Sequence, residues 1–140
     1  MFYLDTSVLV SALASESATS RVQSWLQANE QGQFWVSPWC VTEFNSALSM
    51  KLRLNVISFD NRKKIVAELN HLLTGQIMQF EVKRSDFMSA ARYAAQHQLN
   101  LRSGDALHLA IAANNGAVLC TLDQRLFDAG MSAGIPSVMP

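Results

Sequence analysis

The feature that most narrows the fold is a pair of short, continuously apolar runs at opposite ends of the chain. They are "MFYL" at residues 1–4 and "AVLCTL" at residues 117–122, and each is followed at once by an Asp. A strand that is apolar on both faces has no side to offer to water, so it belongs in a sheet covered by helices above and below. The segments between them have helical period. "SVLVSALA" and "SATSRVQSWLQAN" read as two helices, the second carrying Val22, Trp25 and Leu26 on one side. "QFWVS" is another strand, and Ser37-Pro38 supplies an N-cap and first helical residue for "WCVTEFNSALSMKL". Residues 57–73 form an amphipathic helix, "GQIMQFEV" is extended, and "SDFMSAARYAAQHQ" is a helix with Ser85 at its N-cap. "GDALHLAIAANNG" is apolar almost all round and stops at Asn115-Gly116. A short helix, "QRLFDAG", and a terminal extended "IPSVMP" complete the chain. This alternation predicts an α/β fold in three layers, a mostly parallel sheet with helices on both faces. In such folds the working site lies outside the carboxyl ends of the strands.

Composition removes several classes of function. With 140 residues, 49% apolar and 16% charged, the chain is expected to fold as one domain spanning 1–140 rather than to be disordered. No internal repeat or linker divides it. A formal net charge of zero excludes a broadly basic nucleic-acid binder but leaves room for a local basic patch. Cys40 and Cys120 stand far apart in apolar surroundings and read as reduced core thiols, not as a disulfide frame or zinc site. There is no basic n-region at the N-terminus and no apolar run approaching the ~18 residues of a membrane helix, so a soluble, cytoplasmic protein is expected.

Four acids stand out against this background. Asp5 ends the first strand, Asp123 follows "AVLCTL" at the equivalent point, and Asp105 opens the apolar helix "GDALHLAIAAN". Glu43 falls beside the apolar stripe of Cys40, Phe44 and Leu48 on its helix, where a carboxylate is partly buried and needs a partner. Each Asp alone suits a helix N-terminus, where it caps N–H groups and meets the favourable end of the dipole. Thr6, Ser7 and Ser103 already offer capping hydroxyls, however, and the parallel sheet places Asp5 and Asp123 at one edge. Four hard oxygen donors with no His or Cys in the motif suit Mg²⁺ or Mn²⁺, which would offset their mutual repulsion. Such a site activates water against a phosphodiester. Thr6, Ser7 and Thr121 are candidates to support the carboxylates by hydrogen bonding.

The stretches "YLDTSVLV", "SPWCVTEFNSAL", "LRSGDALHLAIA" and "CTLDQRL" resemble, in order and spacing, the motifs of PIN-domain ribonucleases, especially VapC-type toxins. The resemblance runs from residue 3 to about 127. It implies a PIN-like fold, an acidic quartet of Asp5, Glu43, Asp105 and Asp123 binding Mg²⁺ or Mn²⁺, and RNA cleavage by metal-activated water to leave a 5′-phosphate and a 3′-hydroxyl. It also implies a cognate antitoxin as partner and a homodimer. Residues 51–84 match no motif of the family.

Basic residues gather at Lys51, Arg53, Arg62, Lys63 and Lys64, with a second pair at Lys83-Arg84. Lys51, Arg53 and Arg102 are the candidates for RNA contact, and solvated or dipole-facing roles account for the same residues equally well. Arg102 also stands where it can pair with the acids. His108, one turn after Asp105 on an apolar helix, reads as a satisfied core or interface group, and the tryptophans and phenylalanines read mostly as core. A non-catalytic acidic α/β module that binds a cation or a protein partner is the alternative to the nuclease. Phosphoryl-transfer folds are excluded by position: Ser7 stands where a dehalogenase-type site needs its second Asp, and Leu4 stands where a receiver-type site needs its paired acid.

Overall fold

The chain starts in the middle of its sheet. In a computed structural model that describes Met1–Pro140, β1 (Phe2–Leu4) lies between β2 (Phe34–Val36) and β4 (Val118–Cys120) and runs parallel to both. β3 (Met78–Gln79) extends the sheet beyond β2, and β5 (Ser137–Val138) extends it beyond β4, giving the all-parallel order β3-β2-β1-β4-β5. From β1 the chain therefore winds one way to β2 and β3, and β4 and β5 fill the other side. The loops that leave β1 and β4 diverge at the carboxyl edge, the place where an open α/β sheet forms a crevice.

Register makes this edge coincident. Phe2 pairs with Val118 and Leu4 with Cys120, so the residues after the two strands, Asp5 and Thr121, emerge level with one another. The Asp5 N–H donates to the Cys120 carbonyl at 3.0 Å.

Seven helices cover the sheet: α1 (Thr6–Leu13), α2 (Thr19–Ala28), α3 (Pro38–Arg53), α4 (Phe59–Gly75), α5 (Arg84–Ala94), α6 (Ser103–Asn114) and α7 (Gln124–Ser132). Tyr3, Leu4 and Leu119 of the strands pack with Val8 of α1, Phe44 and Leu48 of α3 and Leu109 and Ile111 of α6 into one core. Every residue from Ala106 to Ala112 is buried, as expected of a helix that is apolar all round. Ser37 accepts from the Cys40 N–H with Pro38 at the first helical position, and Gly116 turns the chain out of α6 at φ +62°. No helix is long and apolar enough to cross a membrane.

Two expectations need correction and a third is made specific. Ser85 is not the N-cap of its helix: α5 begins at Arg84 with Lys83 as its N-cap, and the Lys83 N–H donates to Asp86 Oδ2 at 2.7 Å. A carboxylate reaching back from the third helical position satisfies the orphan donor, so no cap hydroxyl is needed. Within "GQIMQFEV" only Met78 and Gln79 join the ladder, because this is the sheet margin and β2 is the only strand beside it. Among the aromatic residues, Phe59 and Phe87 are 66% and 56% exposed and lie outside the core.

Asp86 also ties α5 to α6. It is buried, and its Oδ1 accepts from the Asn114 side chain at 2.7 Å. Because Asp86 is near the start of α5 and Asn114 near the end of α6, the two helices run antiparallel. Asp86→Ala leaves the Lys83 N–H and the Asn114 amide without their acceptor and is expected to lower stability by about 2–3 kcal/mol. In a urea double-mutant cycle with Asn114→Ala the two losses should be less than additive; strict additivity would mean that the contact contributes nothing.

Candidate active site

All four acids lie at the carboxyl edge of the sheet, each placed by a different element. Asp5 is the N-cap of α1 and is only 4% exposed. Its Oδ1 accepts from the Ser7 hydroxyl at 2.5 Å and the Val8 N–H at 3.1 Å, and its Oδ2 from the Thr121 hydroxyl at 2.6 Å. Thr121 Oγ1 accepts in turn from the Asp123 N–H at 3.0 Å, and Ser7 Oγ from the Leu122 N–H at 2.8 Å. The first and last motifs are thus stitched together by two hydroxyls. Burial pushes the Asp5 carboxyl above its ordinary range, although His108 and the three donors work the other way.

Glu43 reaches the edge from the second turn of α3. Its Oε2 accepts from Thr6 Oγ1 at 2.6 Å and from His108 Nε2 at 2.7 Å. His108 is buried on α6, and its Nδ1 lies 3.0 Å from the Tyr3 hydroxyl, which also meets Ser37 Oγ at 2.8 Å. Burial alone would strip the proton from His108. Its hydrogen bonds to Cys40 and Glu43 overcome this and push its pKa up to about 10. Of the two, the 2.7 Å contact to the Glu43 carboxylate is the short one, since the Cys40 sulfur stands 3.9 Å away. Burial likewise acts to raise Glu43, and His108 and Thr6 outweigh it and hold the carboxyl below its usual range. The site therefore contains a Glu43–His108 ion pair, with the imidazolium donating to Glu43 from one nitrogen and facing the Tyr3 oxygen with the other.

Asp105 sits at the third position of α6, where Oδ2 accepts from the Arg102 N–H at 3.3 Å. It is half-buried. Burial raises its pKa, the Arg102 N–H opposes this, and the nearby Asp123 charge adds to it. Asp123 is the N-cap of α7, accepting from the Arg125 and Leu126 N–H groups at 2.8 and 3.1 Å, with the Arg125 guanidinium 3.5 Å from Oδ2.

These contacts correct the idea that neighbouring hydroxyls do the capping. Asp5 and Asp123 are themselves N-caps and Asp105 closes the first turn of α6, while Thr6, Ser7 and Thr121 bond to carboxylates instead. Arg102 meets Asp105 through its backbone N–H, and its exposed side chain makes no ion pair. Lys51 is engaged with Glu16 at 2.5 Å, away from the acids, and Arg53 donates to Ser49 on its own helix. The sequence reading left His108 and Tyr3 out of the site. The signal for His108 was Glu43, a half-buried carboxylate in need of a partner.

The donor set is that of a hard dication: carboxylate oxygens braced by hydroxyls, with the one nearby imidazole already used by Glu43. Asp105 and Asp123 also repel one another, a cost that a cation offsets. The acids nonetheless do not form a ready-made cage, for no three His, Cys, Asp or Glu groups converge as metal ligands. Both Asp5 oxygens and Glu43 Oε2 are turned to protein donors, whereas Glu43 Oε1 and Asp105 Oδ1 accept no hydrogen bond.

A profile of the PIN domain matches residues 2–130. The chain belongs to the PIN-domain family. Solved PIN-like structures share its fold over nearly the whole length. VapC20 of Mycobacterium tuberculosis, described as a sarcin-ricin loop cleaving toxin, is 16% identical with a TM-score of 0.74, covering 100% of both chains. VapBC2 of Rickettsia felis, bound to a DNA fragment from its promoter, is 13% identical with a TM-score of 0.73, covering 99% of this chain and 98% of the other. FitAcB of Neisseria gonorrhoeae is 19% identical with a TM-score of 0.69, covering 98% and 96%. No curated protein matches by sequence.

Two tests address this PIN-domain site. A Cβ on Gly104 would stand 2.9 Å from Glu43 Oε1 and 3.5 Å from the Trp39 ring. Because Oε2 is held by Thr6 and His108, the carboxylate cannot simply swing aside, and Gly104→Ala is expected to cost about 1–3 kcal/mol in thermal or urea unfolding. Wild-type stability would show that Glu43 is not held. The second test is ¹⁵N NMR of His108, which should remain an imidazolium at pH 8. Its folded pKa lies above the unfolded value of about 6.5, so its contribution to stability is complete below pH ~6.5 and is lost as pH rises towards 10. A neutral ring at pH 8 would remove the ion pair.

Proposed function

We propose that this chain is a metal-dependent endoribonuclease acting as the toxin of a toxin–antitoxin pair. The observation that carries the reading is the arrival of Asp5, Glu43, Asp105 and Asp123 at one sheet edge from four separate elements, beside the crevice between β1 and β4. Membership of the PIN-domain family and the likeness to VapC20, described as a sarcin-ricin loop cleaving toxin, support it. In this reading the substrate is RNA, a cognate antitoxin is the protein partner and the working unit is a homodimer.

Mg²⁺ or Mn²⁺ would be held by the four acids, and when bound it supplies acidified water and charge neutralisation at the phosphodiester. The chain's own residues do the positioning. Thr121 and Ser7 fix the plane of the Asp5 carboxylate, and Thr6 and the His108 imidazolium fix Glu43 with Oε1 left open. Arg125 partly offsets the charge of Asp123. Hydroxyls and imidazoles behind metal-holding carboxylates typically account for 10- to 100-fold in affinity or activity, and this is the loss expected for Thr121→Val.

The deciding experiment is cleavage of total cellular RNA by purified, antitoxin-free protein in Mg²⁺, Mn²⁺ or EDTA. Cutting is expected with metal only, and it should fall to background in Asp105→Asn, whose carboxylate bonds one backbone N–H and is nearly dispensable to the fold. Asp5→Asn should also be inactive but about 1–3 kcal/mol less stable, because its carboxylate serves three buried donors. In the wild type, millimolar Mn²⁺ should raise the melting temperature, since a ligand of the native state alone stabilises it. Folded protein that neither cuts RNA nor responds to metal would favour a non-catalytic acidic module.

A further inference from the structure

Directly beside the acids lies a groove of about 330 Å³ between α5, the start of α6 and the start of α3. It is lined by Trp39, Phe87, Ala91 and Leu107, with Ser103 and Gly104 at the near end, beside the acids. The near end belongs to the catalytic edge: Gly104 is followed by Asp105, and the site of its missing Cβ is shared by Glu43 Oε1 and the Trp39 ring. One indole therefore touches both the groove and a candidate metal-holding carboxylate.

Four properties define what fits. The lining is apolar and aromatic and includes no charged side chain, so it suits a neutral planar group rather than a phosphate. Phe87 is 56% exposed and packs outside the core, leaving its ring face available. Trp39 Nε1–H is buried with no hydrogen bond of full geometry and lies beside Glu43, whose carboxyl it helps to hold down, so the indole ties the groove to the acids. Cations stand at both ends: Arg102 precedes Ser103, and Arg84 lies one turn before Phe87 on α5. Both are exposed and neither makes an ion pair. An apolar slot with aromatic walls between two free cations matches one base of a nucleic-acid strand with phosphates on either side.

We propose that this groove takes one unstacked nucleobase of the RNA strand next to the bond that is cut, with Phe87 and Trp39 as its stacking surfaces. The proposal rests on the ribonuclease reading above and adds to it that the target is locally single-stranded. A base held on Trp39 brings its adjoining phosphodiester to Gly104, Glu43 and Asp105. The groove is preformed, since the Asp86–Asn114 contact locks α5 against α6. Stacking tolerates any base, so it sets where the strand must be open, and the Ser103 hydroxyl at the rim is available to read a base edge.

The test is fluorescence anisotropy of short labelled oligoribonucleotides and of an abasic ribose-phosphate strand of equal length, with the full chain in EDTA. Wild type should bind base-bearing strands on the order of tenfold more tightly than the abasic strand. Phe87→Ala, at an exposed position that spares the fold, should remove most of that difference, and Phe87→Tyr should restore it. Arg102→Ala should weaken both strands alike and flatten the salt dependence. Wild type that binds both strands equally overturns the groove, as does a Phe87→Ala variant that keeps the full preference. So does a Phe87→Ala variant that keeps the preference but changes oligomeric state, which would assign the wall to a protein interface. Metal-dependent cutting by wild type is scored separately. Cutting without base preference keeps the nuclease and removes the groove; base preference without cutting keeps the groove and removes the nuclease.

Discussion

The structure depends on satisfying one buried carboxylate. Asp5 is all but sealed from solvent at the end of the central strand, and an unpartnered charge there would cost several kcal/mol. The donors that prevent this come from both sides of the crevice: Ser7 and Val8 from the start of α1, and Thr121 from the end of β4. Closing those bonds clamps the loop after β1 to the loop after β4. Asp123 is carried into place by the same clamp, since its N–H is bonded to Thr121 Oγ1. The geometry of the edge follows from the requirement that Asp5 be hydrogen-bonded.

A second carboxylate is handled by charge rather than by donors alone. Glu43 comes from α3, and it is met by His108 of α6 at 2.7 Å. The pair bridges two helices that are remote in sequence, and Tyr3 fixes the imidazole from below. A buried ion pair adds little net stability compared with an apolar filling, but removing one partner is costly. Its consequence is positional: Glu43 keeps one oxygen bound and the other open towards Gly104 and Asp105.

The acids meet two demands that at first look exclusive, capping a helix and, in the function proposed above, holding a cation. An Asp at a helix N-terminus accepts N–H bonds and meets the positive end of the dipole, and that is what Asp5 and Asp123 do. Capping uses one or two of the acceptor positions on a carboxylate, so it orients the group without exhausting it. Asp105, bonded to a single backbone N–H, is the most open of the three. Capping is thus how the fold aims these side chains, which explains why strand ends and helix starts coincide with the site.

The fold was legible in the chain because its signals are local. Continuous apolar runs, 3.6-residue periods, Ser37-Pro38 and Asn115-Gly116 act within a few residues, and they placed the strands, most helices and the acidic edge. Where local chemistry was ambiguous the reading failed or stopped short: Ser85 looked like a cap until Asp86 reached back to Lys83, and spacing could not say which of the mostly buried aromatics, Phe59 and Phe87 as it proves, face outward. The four acids were visible as residue types at strand ends and helix starts. Their partners were not, because the contacts of Asp5 with Thr121 and of Glu43 with His108 span 116 and 65 positions. By itself the sequence determined a parallel α/β sheet with carboxylates at its carboxyl edge. Only the tertiary structure decided which hydroxyls hold them, that His108 is charged, and that an aromatic groove opens beside them, because hydrogen bonding, burial and charge depend on which side chains folding brings within a few ångströms.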